Sequence, residues 1–476
     1  MKRRGITAIL LSVSLCTGLS ACGGSSAAVT TKAAAATAAK TQATATTAKA
    51  SATTEKAATT AKTASTTEKA AVSGGNQNKT TIQFWHSMSG ANGDMLNKII
   101  EKYNSSQNKV EVVGTYQGDY WTSGANAITA IATGNGPDLI QLGWGQVRLL
   151  SDNEGVAANM LDYMKKEDGV WLEDFREGFV SCFLNKEKKY LPCLPMGCST
   201  PVMYCNTTLL KKAGLEIPKT WDEMQEVCRK LVDGGYSDYG FSEPRDSWYF
   251  YMMIPNYSGQ EIFSDDELSL GCREGGIAAY TFLQNMVKKN YFYPGPASDS
   301  ANNCLQLLQA GKSAFFINSI AGLKATEKAA KDGGWDLEVS SVPAGKAASF
   351  PSGGNALEML ESSKHKKEVW DFLKWMYTSE DGLAYFDAQS GYLACSNTVK
   401  NTKTIQSMMS DDKNYAKAYD FLEKVDNKHL ITGQSQTPTE IMKFMDAVFY
   451  DKNDVTTEWD SLDTVLKEKL KEAHAK

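Results

Sequence analysis

Between Thr81 and Leu142 the chain repeatedly switches its hydrophobic period, and no other feature restricts the fold as much. Thr81-Ile82-Gln83-Phe84-Trp85-His86 alternates as a strand does. Residues 90–104 then place Met95, Leu96, Ile99, Ile100 and Tyr103 at helical spacing. Val110-Glu111-Val112-Val113 reads as a second strand, and residues 120–133 as a second helix with Ala127, Ile128 and Ile131 on one face. The turn Gly134-Asn135-Gly136-Pro137-Asp138 leads into a third strand, Leu139-Ile140-Gln141-Leu142. Strand and helix taking turns predict a parallel sheet covered by helices, an α/β fold.

A second region of this kind starts near Lys189. Val202-Met203-Tyr204-Cys205 reads as a strand, and Ser313 to Ile317 as another. Thr220 and Glu223 form a capping box at the start of a helix whose apolar face is Trp221, Met224, Cys228 and Leu231. Helices are predicted at 276–289, 368–377, 380–389, 412–424, 438–450 and 460–474. A folded part running from 79 to 476 exceeds what one core usually reaches, so two lobes are expected. The expected division is lobe 1 at about 79–190 and 320–355, and lobe 2 at about 191–319 and 356–476. In open α/β sheets ligands sit beyond the carboxyl ends of the strands, and two facing lobes turn that place into a cleft.

The first 78 residues read differently. Lys2, Arg3 and Arg4 precede an apolar run from Ile6 to Leu15, and Leu19-Ser20-Ala21-Cys22-Gly23 follows. That is an export signal, with an apolar run too short to span a bilayer. Its end resembles the bacterial lipobox, which implies cleavage before Cys22 and a diacylglyceryl group on its thiol. Two acyl chains make a stable anchor where one does not. Residues 1–21 are thus expected to be a leader, and 22–78 a lipidated tether. Residues 25–78 are almost all Ala, Thr, Lys and Ser, and Thr-Thr-Glu-Lys-Ala-Ala occurs at 53–58 and again at 66–71. Such a segment cannot bury enough apolar area to offset chain entropy. As a flexible chain it reaches roughly 40 Å. A tether of this length suits a cell without an outer membrane.

Charge and cysteine content narrow the classes further. The formal net charge of −5, with basic and acidic residues interleaved, offers no surface for nucleic acid. Of ten cysteines, Cys16 leaves with the leader and Cys22 takes lipid. Cys182, Cys193, Cys198, Cys205, Cys228, Cys272, Cys304 and Cys395 remain. They show no Cys-x-x-Cys pair and no zinc spacing with the histidines, so no metal or other cofactor is expected. Several fall at apolar positions, where cysteine packs as a small hydrophobe, and mostly free thiols are expected. Sequence alone leaves open whether some are bonded. His86, alone at a strand end, reads as a local hydrogen-bonding residue.

An ordered series of short motifs spans nearly all of the folded part. It begins with Phe84-Trp85-His86-Ser87-Met88-x-Gly90, Tyr116-Gln117-Gly118-Asp119-Tyr120 and Thr133-Gly134-Asn135-x-Pro137. It continues with Leu191-Pro192, Ser199-Thr200-Pro201-Val202, Lys211-Lys212-Ala213-Gly214-Leu215 and Pro218-Lys219-Thr220-Trp221. It ends with Gly353-Gly354-Asn355 and Ser390-Gly391-Tyr392-Leu393. The series resembles the extracellular solute-binding proteins of ATP-driven (ABC-type) sugar importers, most of all their glycerol-3-phosphate-binding branch. The resemblance implies a two-lobed periplasmic-binding-protein-like fold of type II, a monomer that closes like a hinged trap on a small solute. The partners it implies are the permease subunits of the importer, met at the outer face of the membrane.

Carried over residue by residue, the resemblance puts Tyr120, Ser199, Ser319, Gly354 and Tyr392 on the ligand. Two positions depart from the pattern. The family's carboxylate falls on Trp144, and its phosphate-pairing arginine falls near Ile431. Without that cation a doubly charged phosphate would be poorly compensated. Arg245 could supply a cation from another loop. Trp144, and Trp248 in Asp246-Ser247-Trp248-Tyr249, supply flat apolar faces suited to a sugar ring. The expected ligand is therefore a sugar or short oligosaccharide, with a glycerol phosphate as the alternative. A secreted glycosidase would need paired acids across a cleft. Asp265-Asp266 and Asp411-Asp412 sit in polar, loop-like surroundings instead, and no Gly-x-Ser-x-Gly or His-Glu-x-x-His motif occurs. Import and a sensory role for the same fold both remain open at this stage.

Overall fold

The computed structural model describes residues 79–475, apart from 153–154, 186, 423–424 and 426–429. The leader, Cys22 and the tether lie outside the described residues. Ten strands are described: β1 (Thr80–His86), β2 (Val110–Tyr116), β3 (Leu139–Gly143), β4 (Leu194–Ser199), β5 (Pro201–Asn206), β6 (Tyr239–Glu243), β7 (Phe292–Pro294), β8 (Ser313–Ser319), β9 (Leu337–Ser340) and β10 (Gly353–Met359). They form two five-stranded sheets, ordered β2-β1-β3-β10-β4 and β7-β6-β8-β5-β9. The two share one plan. Three parallel strands are followed by an antiparallel one, β10 in the first sheet and β5 in the second, and then by a last strand that pairs with it.

Helices cover both sheets, as the alternating pattern predicts. The helix Gly90–Ser106 buries Met95, Leu96, Ile99, Ile100 and Tyr103. Tyr103 packs at 4.8 Å on Phe372 and at 5.4 Å on Trp375. Strands β3, β4 and β5 are buried along their whole length, the signature of strands covered on both faces. The helix Trp221–Asp233 carries the reciprocal Thr220–Glu223 capping box and buries Trp221, Met224, Cys228 and Leu231. The eight cysteines from Cys182 to Cys395 are buried and unbonded. No helix among the described residues is long and apolar enough to cross a membrane.

The sheets divide the chain differently from the expected lobe boundaries. Residues 191–199 stay with lobe 1, because β4 pairs with β10 in the first sheet. Residues 320–352 belong to lobe 2, because β9 pairs with β5. The chain then returns to lobe 1 as β10, and the helices Lys366–Thr378 and Leu383–Ser390 pack on that lobe. Phe372, for instance, meets Phe84 of β1 at 6.0 Å. The last two helices, Pro438–Phe449 and Val455–His474, rejoin the core of lobe 2, where Trp459 stacks on Phe250 at 5.8 Å. The physical reason is β10. Its sequence, Gly-Gly-Asn-Ala-Leu-Glu-Met, has little strand propensity and a carboxylate inside it, and only pairing on both sides makes it a central strand.

Candidate ligand-binding cleft

The chain crosses from lobe 1 to lobe 2 at Thr200, between β4 and β5, and a cavity of about 460 Å3 lies at this junction. All seven residues expected at the ligand, Tyr120, Trp144, Ser199, Trp248, Ser319, Gly354 and Tyr392, line it. Each is there for a local reason. Tyr120 opens the helix Tyr120–Ala132, whose N-cap Asp119 accepts the Thr122 N–H at 2.8 Å. Trp144 begins the single 3-10 turn that follows β3. Ser199 ends β4, Ser319 ends β8, and Gly354 opens β10. Tyr392 follows Gly391, which ends the preceding helix at φ +90°.

Lobe 1 holds its aromatic residues on bare backbone. A side chain on Gly143 would come within 2.6 Å of the Tyr120 ring. Gly354 has φ +108°, and a Cβ there would lie 1.8 Å from the Gly197 carbonyl oxygen, so only glycine fits. Behind Tyr120 sits a buried polar floor of Tyr392, Gln141 and Asn355. Burial pushes the Tyr120 phenol well above its usual range, and the neighbouring Tyr392 adds to the rise. The amide atoms of Asn355 and Nε2 of Gln141 have no hydrogen-bond partner among the described residues. Tyr392 stacks on Phe386 at 5.7 Å and 21°, which fixes its ring.

Trp144 presents its ring to the cleft, and its Nε1 lies toward the buried Cys182. Burial pushes that thiol up to about 12, and the indole and Ser352 offset part of the rise. Ser319 spends its hydroxyl locally, accepting the Ala321 N–H at 3.2 Å. Trp248 donates its indole N–H to the Ser352 carbonyl at 2.9 Å, which ties the helix Trp248–Ser258 to the segment that leads into β10. Asp246, exposed at the edge of the cavity, accepts the Trp248 N–H at 2.8 Å.

Sequence reasoning missed several of the lining residues. Tyr251 lies one turn beyond Trp248 on the same helix face and meets Trp144 of the opposite lobe at 6.4 Å and 67°. Asp119, Trp121, Gln146, Asp246 and Gln434 also line the cavity. The three-residue step from Trp248 to Tyr251 was the one signal available, and it needed a helix that had not been recognised. Arg245 does not line the cavity. Its guanidinium is engaged in a two-pronged ion pair with Asp446. Among the described lining residues there is no lysine, arginine or histidine.

Comparison with known proteins gives the same picture. The family model for the bacterial extracellular solute-binding proteins matches residues 89–382. The chain belongs to that family. The sn-glycerol-3-phosphate-binding periplasmic protein UgpB of Brucella abortus (strain 2308) is 25% identical to this solute-binding protein over 266 residues, 52% of this chain and 58% of the relative. The chain thus spans little more than half the length of that relative. Among solved structures, the GacH receptor of Streptomyces glaucescens, determined unliganded and with acarbose, matches with a TM-score of 0.71 at 19% identity, over 83% of this chain and 99% of the receptor. UgpB from Mycobacterium tuberculosis, in complex with glycerophosphocholine, matches with a TM-score of 0.69 at 22% identity, over 83% and 99%. At these identities the likeness establishes the fold: two lobes, each a sheet flanked by helices.

Proposed function

We propose that this solute-binding protein captures a neutral sugar or short oligosaccharide between its lobes and hands it unchanged to the permease of an ABC importer. The observation that carries the reading is the cleft wall. Aromatic faces come from both lobes, Trp144 and Tyr120 from one and Trp248 and Tyr251 from the other, and no cationic side chain stands among the described lining residues. Such faces suit the C–H side of a pyranose, while the serines, amides and carboxylates suit its hydroxyls. Because the walls belong to different lobes, a ligand that touches both favours the closed form, which is how a hinged trap works.

A glycerol phosphate is the second reading, favoured by the sequence similarity to UgpB. The absence of a cationic side chain among the described lining residues weighs against it, since a buried phosphate dianion needs charged donors. A thermal-shift panel of neutral sugars, glycerol-3-phosphate and glycerophosphocholine separates the two, because a ligand that binds the native state raises its melting temperature. A rise with sugars alone is expected. A rise with the phosphates alone would replace the first reading by the second. The anchor at Cys22 belongs to the same proposal. Mass spectrometry of protein purified from cells should find a diacylated amino-terminal Cys22, and an unlipidated terminus elsewhere would remove it.

A further inference from the structure

Across lobe 1, β3, β10 and β4 set Gly143, Asn355 and Gly197 directly opposite one another, so the three form one row on one face of the sheet. The outer two carry no side chain, and aromatic rings take the space. A Cβ on Gly143 would lie 2.6 Å from the Tyr120 ring, and a Cβ on Gly197 would lie 3.0 Å from the Tyr392 ring. The latter point is also 3.2 Å from Nδ2 of Asn355. The Asn355 amide thus stands between the two tyrosines, beside both phenols, with its nitrogen on the Tyr392 side. Gln141, two residues before Gly143 and on the same face of β3, lies beside the Tyr120 phenol.

We infer that Asn355 is a positioning residue that fixes the polarity of the cleft floor: its Oδ1 accepts from the Tyr120 hydroxyl and its Nδ2 donates to the Tyr392 oxygen, so that Tyr120 meets a ligand as an acceptor and Tyr392 meets it as a donor. The inference rests on the carbohydrate reading above and adds to it a residue that does not line the cavity. Asn355 is 3% exposed and Gln141 is fully buried. Both amide atoms of Asn355, and Nε2 of Gln141, have no hydrogen-bond partner among the described residues. A buried polar atom left unpaired is costly, and the two phenols are the hydroxyls that stand beside these amides.

The assignment of roles follows from the amides. The Gln141 Oε1 accepts the Ser87 N–H at 2.9 Å, which leaves its nitrogen as a donor facing Tyr120. Tyr120 therefore has a donor on one side and the Asn355 oxygen on the other. It accepts from the first, gives its proton to the second and keeps a lone pair for a ligand. Tyr392 faces the Asn355 nitrogen, accepts from it and keeps its own proton for a ligand. A phenol can play either part, and an amide, with one donating and one accepting end, removes that freedom. A floor whose polarity is set beforehand favours a ligand that offers a donor and an acceptor in matching places, as neighbouring hydroxyls of a saccharide do.

The test compares Asn355→Asp and Asn355→Leu with the parent from about pH 5 to about pH 8. Burial without a cation favours the protonated carboxyl, as it does at Asp387 and Glu358, and a protonated carboxyl keeps a donor and an acceptor. An ionised one only accepts, so Tyr392 then loses the proton it holds for a ligand. Calorimetric titration with D-glucose, D-xylose, maltose and cellobiose should show, for each sugar the parent binds, Asn355→Asp within about twofold of the parent at the acid end and about tenfold weaker wherever it ionises. Asn355→Leu, which offers neither end, should be about tenfold weaker throughout. Asp387 and Cys198 also face Tyr392, and the parent, which carries both, corrects for their titration. In protein isotopically labelled at the tyrosine Cζ, the resonances of Tyr120 and Tyr392, assigned by Tyr120→Phe and Tyr392→Phe, should both shift in Asn355→Leu. A parent-like Asn355→Asp beside a weakened Asn355→Leu also supports the inference, because a carboxyl that stays protonated keeps both ends. An equal loss in both variants at the acid end makes Asn355 a packing residue and overturns the inference, as do unmoved resonances in Asn355→Leu. A parent that binds no saccharide overturns the carbohydrate reading, and the resonances then decide the role of Asn355 alone.

Discussion

The two walls of the cleft are built by opposite means. Lobe 1 offers strand ends and glycines. Tyr120 lies on Gly143, Gly354 meets the Gly197 carbonyl, and Tyr392 is pinned on Phe386. Lobe 2 offers one helix face, Trp248 and Tyr251, held by the indole of Trp248 on the Ser352 carbonyl just before β10 and by the hydroxyl of Tyr251 on Thr437. A wall of backbone is intolerant of change, and a wall of side chains on a helix is adjustable.

The sharpest way to break that contrast is Gly354→Ala. A Cβ pressed on a backbone oxygen at a φ that side chains rarely adopt should cost about 3 kcal/mol. Chemical denaturation of the variant would read it, and an unchanged midpoint would mean that the lobe 1 wall yields after all. Next comes Trp144→Ala. Removing a half-buried indole face should weaken ligand binding by about 2 kcal/mol, roughly thirtyfold, with little change in stability. An unchanged affinity would take Trp144 off the ligand.

Lobe 1 also carries a burden that should show against pH. Asp387 and Glu358 are fully buried with no hydrogen-bond partner for either carboxyl oxygen among the described residues. Burial raises both well above the usual carboxylate range. The folded state therefore keeps protons that the unfolded chain gives up. The stability these two groups contribute is full below about pH 4 and declines as pH rises past the unfolded value, by at most about 1.4 kcal/mol per pH unit for each proton. Asp387→Asn should flatten part of that decline in denaturation curves taken between pH 4 and 8. A slope that does not change would assign the decline elsewhere. The smallest effect is expected in lobe 2. Tyr251→Phe removes one neutral hydrogen bond to Thr437 and should lower affinity roughly two- to tenfold. A loss as large as that of Trp144→Ala would mean that the helix wall is as rigid as the strand wall.

The same division marks what could be read in advance. The lobe 1 wall was legible, because the ordered motifs that resemble the solute-binding proteins carry Tyr120 and Gly354, and Trp144 falls just after the third predicted strand. Tyr251 was not. Trp-Tyr-Phe-Tyr-Met-Met-Ile-Pro is apolar nearly throughout, so it has no amphipathic period to betray a helix; Ser247 makes no capping bond, and Pro255 sits inside. Gln434 was missed for another reason. Nothing in Leu430-Ile431-Thr432-Gly433-Gln434 is unusual until Arg148 and Asp152, far away in the chain, hold it against the cleft.

By itself the sequence determined the class of fold, through hydrophobic periods, caps and turns that act within one element. Its resemblance to the solute-binding proteins pointed to Tyr120, Ser199, Ser319, Gly354 and Tyr392, which line one cavity. Only the tertiary structure decided which lobe each later segment joins and that Arg245 is occupied by Asp446. Those outcomes depend on pairing between residues far apart in the chain, and a local pattern carries no record of its partner.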